Sequence, residues 1–449
     1  MRLRVPGREE AAEEPFDLET LEWAPPPPRR RWRRIWLAVP VVVLVVAAGA
    51  VAWSATRRVT AEVAPLSTRE QAQIEAAAPG ISRQGAGASL PLPAPARRAA
   101  AALPLHRAVA QLFVVGVGEE PLKDVSRVRA RRWGGVTLAP GRAVDPGTAA
   151  GLTAELVRVS RPGIPPLVAA EQIGGPASTF PGFPPRAQPL VGDGGTPRTV
   201  RAEARRAARA LRELGVRMTL APVADVGVAA GPLQDRVFSD DPRIVARLTA
   251  AAVEGWRAGG VIPAVGHFPG QGSASEDPDV ANSTVGLSLR ELRARDLRPF
   301  AAVVRRAPVI VMSNAVFAAF DGVTPATALP DAMSLLRRDL RYRGAIMTGD
   351  LAATAPVLGT GVAGAAVQAL EAGADMLYVG GRPDQQAAAY AAVLRAVRTR
   401  QISRTRLDLS VQRVMALKLS VGLLPAPRRP RGAKAPRVGG SGPRSPAPR

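Results

Sequence analysis

The stretch VIPAVGHFPGQGSASEDPD, residues 261–279, passes from a run of apolar residues directly into a polar loop that carries acidic groups. Residues 261–265 are all apolar and indicate a buried strand, and the turn-forming residues 266–270 predict its end. His267, one of only two histidines in the chain, lies at that junction. Because functional side chains are often carried by loops on a rigid scaffold, this junction is the first candidate for a functional site.

Similar apolar runs lie on both sides of this stretch and alternate with helical patterns. The predicted strands are 111–117, 135–139, 167–170, 218–223, 261–265, 309–312, 345–348 and 376–379. The predicted helices include 198–214, 242–258, 289–305, 328–340, 361–372 and 384–398. Eight strands with intervening helices over about 320 residues predict an α/β fold, a parallel (β/α)8 TIM-type barrel. A doubly wound open sheet is the alternative.

The composition allows a large core and argues against several kinds of site. The chain has 449 residues, of which 47% are hydrophobic, and a net charge of +23. Such a charge favours nucleic acid or an anionic surface as partner. Lysine occurs only three times, however, so the charge reflects an arginine-rich composition typical of GC-rich coding, and we predict no nucleic-acid partner. With no cysteine and two histidines, we also predict no metal and no cofactor.

The N-terminal part of the chain has the pattern of a membrane anchor. Residues 1–34 are charged and proline-rich and predict a disordered cytoplasmic segment. Residues 35–56 carry no charge and are long enough, as a helix, to cross a bilayer. Five arginines precede this span and two follow it, which predicts a cytoplasmic N-terminus and an extracytoplasmic domain in a single-pass membrane protein. A cleaved signal peptide ending near 48–50 is the alternative.

Three further segments follow the span. Residues 57–102 contain several glycines and prolines and predict a flexible linker. Residues 103–424 hold the predicted barrel. Residues 425–449, rich in proline, glycine and arginine, predict a disordered basic tail.

Polar residues follow several of the predicted strands. In a parallel barrel the carboxyl ends of all strands meet at one face, so these side chains are expected to converge there. They are Glu171, Asp225, Asp235, Arg236, His267, Asp277, Asp279, Asn314 and Asp350. Each alone suits a solvated loop or a helix cap, but together they favour a ligand site.

The loop at 261–279 resembles the signature of family 3 glycoside hydrolases, the bacterial β-N-acetylglucosaminidase branch in particular, whose pattern is K-H-F-P-G-H-G-D-T-x-x-D-S-H. Other resemblances occur in the family's order. They are GGVTL at 134–138, LAPVADV at 220–226, DRVF at 235–238, LR at 336–337 with YRG at 342–344, and AGAD at 372–375. The resemblance covers about 310 residues, from 111 to 424. It implies the same barrel and a sugar-cleaving ancestry.

The family's retaining mechanism uses one carboxylate as nucleophile and a second group as acid/base. The resemblance implies that the nucleophile position, in TGDL at 348–351, is Gly349. Asp350 comes one residue later, and strand alternation predicts that it points away from the direction of Gly349 unless a bulge intervenes. The acid/base histidine of the family's D-x-H pattern falls on Asp279. Asp279 and Asp350 are therefore the candidate catalytic groups.

The positions that hold sugar in the family are partly kept. The resemblance implies substrate contacts for Glu171, Arg236 and His267. The lysine before His267 is replaced by Gly266, and EQIGGPAST at 171–179 lacks both arginines of the family's D-Q-E-G-G-R-V-x-R. Without its nucleophile a covalent mechanism ordinarily fails.

Three functions follow from these observations. The first is a membrane-anchored, catalytically impaired relative of β-N-acetylglucosaminidases that binds N-acetylglucosamine-containing cell-wall glycan. The second is a working glycoside hydrolase that uses Asp350 or a loop carboxylate. The third is a scaffold for protein interactions with no sugar binding.

Overall fold

The computed structural model of the protein describes residues 92–139 and 141–424. The predicted cytoplasmic segment, the predicted span at 35–56, most of the predicted linker and the predicted tail lie outside these ranges. Within them, no single helix is both long and apolar enough to cross a bilayer. Leu351–Val357 and Val362–Ala372 reach that length and composition only as a pair bent by 97°.

Ten strands are found in the described part of the chain. They are β1 (Phe113–Val117), β2 (Gly135–Leu138), β3 (Leu167–Ala170), β4 (Met218–Thr219), β5 (Ile262–Phe268), β6 (Thr284–Val285), β7 (Val309–Met312), β8 (Val316–Phe317), β9 (Ala345–Asp350) and β10 (Met376–Val379).

Helices lie between most of the strands. They are α1 (Ala94–Ala101), α2 (Leu105–Ala110), α3 (Pro121–Arg131), α4 (Pro146–Ser160), α5 (Gln188–Gly192), α6 (Pro197–Glu213), α7 (Pro242–Ala258), α8 (Leu289–Ala294), α9 (Leu297–Val303), α10 (Pro330–Ser334), α11 (Leu351–Val357), α12 (Val362–Ala372), α13 (Pro383–Arg398) and α14 (Arg404–Ser420). A π-helical segment, Leu335–Asp339, continues α10.

Eight of the strands form a closed parallel barrel in the order β1-β2-β3-β4-β5-β7-β9-β10, and β10 pairs with β1. These are the eight predicted strands, so the predicted barrel is confirmed and the open sheet is excluded. The barrel strands are buried almost throughout, as expected for a parallel sheet covered by helices. The remaining strands, β6 and β8, form a separate two-stranded parallel sheet above the barrel's carboxyl end.

Several predicted elements differ from the structure. The strand predicted at 218–223 ends at Thr219, and Pro222 beyond it has no N–H to offer the ladder. The predicted helix 289–305 is broken between Ala294 and Leu297, because Pro299 has no N–H to offer the carbonyl four residues earlier and its ring would clash with it. The strand predicted to end at 265 continues to Phe268, which is fully buried and pairs with Met312 of β7. Burial of this phenylalanine outweighs the local preference of the preceding glycine for a turn.

The folded domain begins earlier than predicted. Residues 94–101, assigned to the linker from sequence, form α1, whose Ala96 and Ala100 are buried. These alanines lie four residues apart, on one helix face, and the helix packs against α14.

Helix α14 also closes the amino-terminal end of the barrel. Its Arg406 and Arg413 reach the buried Asp375 at the start of β10, with Arg413 Nη1 at 2.8 Å from Oδ1. Its Lys418 is fully buried and donates to Gln111 Oε1 at 2.6 Å and to the Pro165 carbonyl at 2.8 Å. Burial lowers the pKa of Lys418 to about 7.

Candidate active site

A cleft of about 380 Å³ opens at the carboxyl end of the barrel. Its floor consists of apolar side chains from the barrel strands, and its wall carries the polar groups. The predicted site residues Glu171, Arg236, His267, Asp279 and Asp350 all line it, as do Gly266, Asp277, Gly349 and Tyr378. The structure therefore brings these candidates to one cleft. Asp225 and Asn314 lie behind its wall, whereas Asp235, also expected at the mouth, is exposed and lies 3.6 Å from Arg236 Nε.

Glu171 follows β3 directly and faces the cleft. Its backbone is fixed by Thr179, whose Oγ1 accepts from the Glu171 N–H at 3.1 Å. Among the described residues, none donates a hydrogen bond to its carboxylate. Burial, and after it the negative charge of Asp279, raises the pKa of Glu171 to about 7.

Arg236 lies in the loop after β4 and crosses the cleft to the loop after β5. Its guanidinium is hydrogen-bonded and ion-paired with Asp277, and its Nη1 lies 4.0 Å from Asp279 Oδ2. Gln188 supports this loop from behind, since its buried amide donates to the backbone carbonyls of Arg236 and Val223, each at 2.9 Å. Arg236 is thus already partnered by acidic groups before any ligand binds.

His267 is held by the fully buried Asp225. The Nδ1 atom lies 2.8 Å from Asp225 Oδ2, and the His267 N–H contacts the other carboxylate oxygen at 3.3 Å. Burial disfavours the imidazolium form, but the charge and hydrogen bond of Asp225 outweigh it, so the pKa of His267 is raised. This arrangement directs Nε2 away from Asp225.

Gly349 has no room for a side chain in the present arrangement. A Cβ atom built on it would lie 2.6 Å from Asn314 Cγ. The Asn314 amide is held there by several hydrogen bonds: Nδ2 donates to Asp279 Oδ1 at 3.2 Å and to the Asp350 carbonyl at 3.3 Å, while Oδ1 accepts from Thr354 at 2.8 Å. Asn314 therefore occupies the space next to the nucleophile position of the resemblance.

Asp350 ends β9 and also lines the cleft, which strict alternation from Gly349 does not predict. The physical reason is an irregularity in the ladder: Met376 pairs with Met347, but Tyr378 pairs with Asp350, so β9 spans one more residue than β10 there. Asp350 Oδ1 accepts from the N–H groups of Ala352, at the start of α11, and Gly380. Burial raises the pKa of Asp350 despite these hydrogen bonds.

Tyr378 is a lining residue that the sequence analysis missed. It lies in β10, and burial followed by the charge of Asp350 raises the pKa of its phenol well above the usual value. A signal was present, because Tyr378 is the one polar side chain in the predicted strand 376–379 and lies near its carboxyl end.

The loop that carries Asp277 and Asp279 is fastened at both ends. Near its start, Gln271 N–H donates to Asp225 at 2.8 Å and Gln271 Oε1 accepts from Ser313 at 2.6 Å. At its end, Val316 N–H donates to the Ser283 carbonyl at 2.9 Å beside the β6–β8 pair. The acidic groups are thus held over the cleft by two neighbouring strand ends.

The arrangement offers carboxyl groups and hydrogen-bond donors around a cleft of sugar size. Among residues 92–139 and 141–424, no three acidic or histidine side chains are placed to share a metal ion. Two carboxyl groups lie beside the nucleophile position: Asp279, which accepts from the Asn314 amide packed against Gly349, and Asp350, the next residue of β9. Neither extends from the strand position that the family uses.

A closed (β/α)8 barrel with its polar groups over a carboxyl-end cleft defines the TIM-barrel class of protein, which carries its functional groups at that face. More particularly, the chain belongs to glycosyl hydrolase family 3: residues 105–417 match the family's N-terminal domain. The family resemblance inferred from the sequence is thereby confirmed.

Solved structures are similar to this protein over most of its described residues. A family 3 β-N-acetylglucosaminidase from Paenibacillus sp. strain FPU-7 has 31% sequence identity and a TM-score of 0.65, covering 72% of this chain and 63% of that one. A β-N-acetylhexosaminidase from Beutenbergia cavernae has 30% identity and a TM-score of 0.63, covering 70% of this chain and 98% of that one.

Among curated proteins, a β-hexosaminidase of Xanthomonas oryzae pv. oryzae is 33% identical over 180 residues. That alignment covers 40% of this chain and 54% of the relative. The chain therefore spans about half the length of the curated relatives it matches.

Proposed function

We propose that this protein binds N-acetylglucosamine-containing cell-wall glycan in the cleft and does not hydrolyse it by the family's covalent mechanism. The observation that carries the proposal is Gly349, which supplies no carboxylate, together with Asn314, which fills the space beside it. Glu171, Arg236 and His267 remain around the cleft as groups that can hydrogen-bond sugar hydroxyls.

The same proposal includes a membrane anchor. The uncharged segment 35–56, preceded by five arginines, supports a single span with the N-terminus in the cytoplasm and the barrel outside. An extracytoplasmic barrel near the membrane would meet cell-wall glycan.

Titration calorimetry on the purified full-length chain tests glycan binding. We expect weak binding of N-acetylglucosamine oligomers, with Kd near about 0.1–1 mM, and a loss of at least about fivefold in Arg236→Ala. Arg209→Ala, which changes an exposed arginine of α6, is the matched control. Absence of heat with every cell-wall fragment would favour the interaction scaffold instead.

A second candidate, an active hydrolase, is favoured by one observation: the irregularity in β9 brings Asp350 to the cleft wall. A sensitive aryl N-acetylglucosaminide assay on the wild type, Gly349→Asp and Asp350→Asn separates the two. We expect no turnover above background in the wild type and little gain in Gly349→Asp. In that variant Gly266 still provides no side chain to hold the sugar, and Asp279 still protonates the leaving group poorly. Wild-type turnover that disappears in Asp350→Asn would make Asp350 a displaced nucleophile.

A further inference from the structure

The cleft has an excess of negative charge. Five carboxyl groups line it or lie directly behind it, namely Glu171, Asp225, Asp277, Asp279 and Asp350. Arg236 and His267 are the basic side chains that the described residues contribute to its lining. This is unexpected in a chain with 60 lysines and arginines and only 37 aspartates and glutamates. The acidic groups are therefore concentrated here against the overall composition.

Both basic groups are already neutralised by acids of their own. Arg236 is ion-paired with Asp277, and His267 with Asp225. The other carboxyl groups are Glu171, Asp279 and Asp350, of which Asp279 also lies 4.0 Å from Arg236 Nη1, so two basic side chains face five carboxyl groups. Glu171 has no hydrogen-bond donor among the described residues, Asp279 accepts from the neutral Asn314 amide, and Asp350 accepts from the backbone N–H groups of Ala352 and Gly380.

These remaining carboxyl groups repel one another. All three line the same cleft, and, after burial, the charge of Asp279 helps to raise the pKa values of both Glu171 and Asp350. A cation placed among them would relieve this repulsion, and a partly enclosed cleft with low-dielectric walls strengthens such an attraction.

We propose that the sugar preferred by this cleft is a glucosamine unit with a free, positively charged amine, that is, one from which the N-acetyl group has been removed. This inference rests on the proposed glycan-binding function and specifies its ligand. An amino sugar suits the site because it combines hydroxyl groups for Arg236 and His267 with an ammonium group for the carboxyl groups that outnumber these two basic side chains. The exposed arginines of the outer helices oppose it weakly, because solvent and salt screen them.

Titration calorimetry of the full-length chain at pH 7 and about 0.15 M salt compares two β-linked tetrasaccharides, one of glucosamine and one of N-acetylglucosamine. We expect the glucosamine form to bind at least about tenfold more tightly, the effect of one favourable charge pair. The ratio should fall at least about threefold in Asp279→Asn and in Glu171→Gln. Glu213→Gln, an exposed change at the C-terminal end of α6, should leave it unaltered.

The outcomes separate this inference from the proposed function. Equal or tighter binding of the N-acetylated form would overturn the inference and leave the proposed glycan binding intact. Absence of binding heat with either tetrasaccharide would overturn the inference and the proposed function together. Spermine that competes as strongly as the glucosamine form would show recognition of charge alone and overturn the sugar component. Asp279 is substantially exposed, so its asparagine variant is expected to fold, and thermal unfolding of each variant verifies this.

Discussion

The Asn314 side chain decides what position 349 can carry. Its amide is buried and hydrogen-bonded to Asp279, Thr354 and the Asp350 backbone, so it cannot turn aside without losing those bonds. Restoring the nucleophile therefore takes more than adding a carboxylate at position 349, because the side chain of Asn314 is fixed in the space that the added side chain would need.

Gly349→Ala should lower the free energy of unfolding by about 1–3 kcal/mol, because the added methyl group overpacks against Asn314. In an Asn314→Ala background the same change should cost at least about 1 kcal/mol less, since the two side chains are in contact. Chemical denaturation of the four proteins measures this. Gly286→Ala, where an added Cβ would meet nothing within 4 Å, should stay within about 0.5 kcal/mol of the wild type. Equal costs in both backgrounds would contradict the steric account.

Glu171 makes stability depend on pH. Its pKa is about 7 in the folded state against an ordinary 4.5, so the folded state binds the proton more tightly than the unfolded chain does. Stability from this group is therefore present below about pH 4.5 and is lost as the pH rises to 7.

Glu171→Gln removes this loss. We expect the variant to match the wild type at pH 4 and to exceed it by about 1–3 kcal/mol at pH 8, as measured by urea denaturation. Glu213→Gln serves as the control and should show no such difference between the two pH values. A pH-independent effect of Glu171→Gln would mean that its carboxylate is not perturbed in the folded state.

At the scale of elements, α14 is joined to the barrel by charge as well as by packing. Asp375, fully buried before β10, contacts Arg337 at 2.5 Å, Arg413 at 2.8 Å and Arg406 at 3.4 Å. Burial opposes the ionisation of Asp375, but these arginines outweigh it and hold its pKa below the usual range. The cluster ties the last helix to the strands β9 and β10.

Asp375→Asn should therefore cost about 3–5 kcal/mol, because it leaves partly buried guanidinium groups without their counter-charge. Asp408→Asn, on α14 itself, breaks an exposed pair with Arg404 and should cost less than about 0.5 kcal/mol. Thermal unfolding monitored by circular dichroism distinguishes them. A small effect of Asp375→Asn would show that the arginines find solvent or other partners.

At the scale of the whole molecule, the sequence predicts which side of a membrane the barrel occupies. The arginines before residue 35 should keep the N-terminus in the cytoplasm. Protease added to intact cells with permeabilised outer layers should remove the 103–424 domain and spare a tag at the N-terminus. A cytoplasmic protein of the same cells is the internal control. Protection of the domain would contradict the proposed topology.

The barrel, its eight strands and most of the residues at its mouth could be predicted from the amino-acid pattern alone. Apolar runs of strand length, separated by helical periodicity, leave few other ways to bury so much apolar surface. The sequence also indicated Gly349, because a motif reports which residue type stands at each position. The helix break before Pro299 could also have been predicted from local stereochemistry, although the surrounding residues fit one continuous helical pattern.

Tertiary contacts were needed to establish where Asp350 points, what fills the space beside Gly349, and how the charges of the cleft are paired. The register irregularity between β9 and β10 arises from pairing between strands, and alternation along a single strand cannot reveal it. Likewise, Arg236 and Asp277 lie 41 residues apart, and His267 and Asp225 lie 42 apart. Their pairing, and so the excess of carboxyl groups over basic groups in the cleft, depends on distances that exist only once the strands have closed into a barrel.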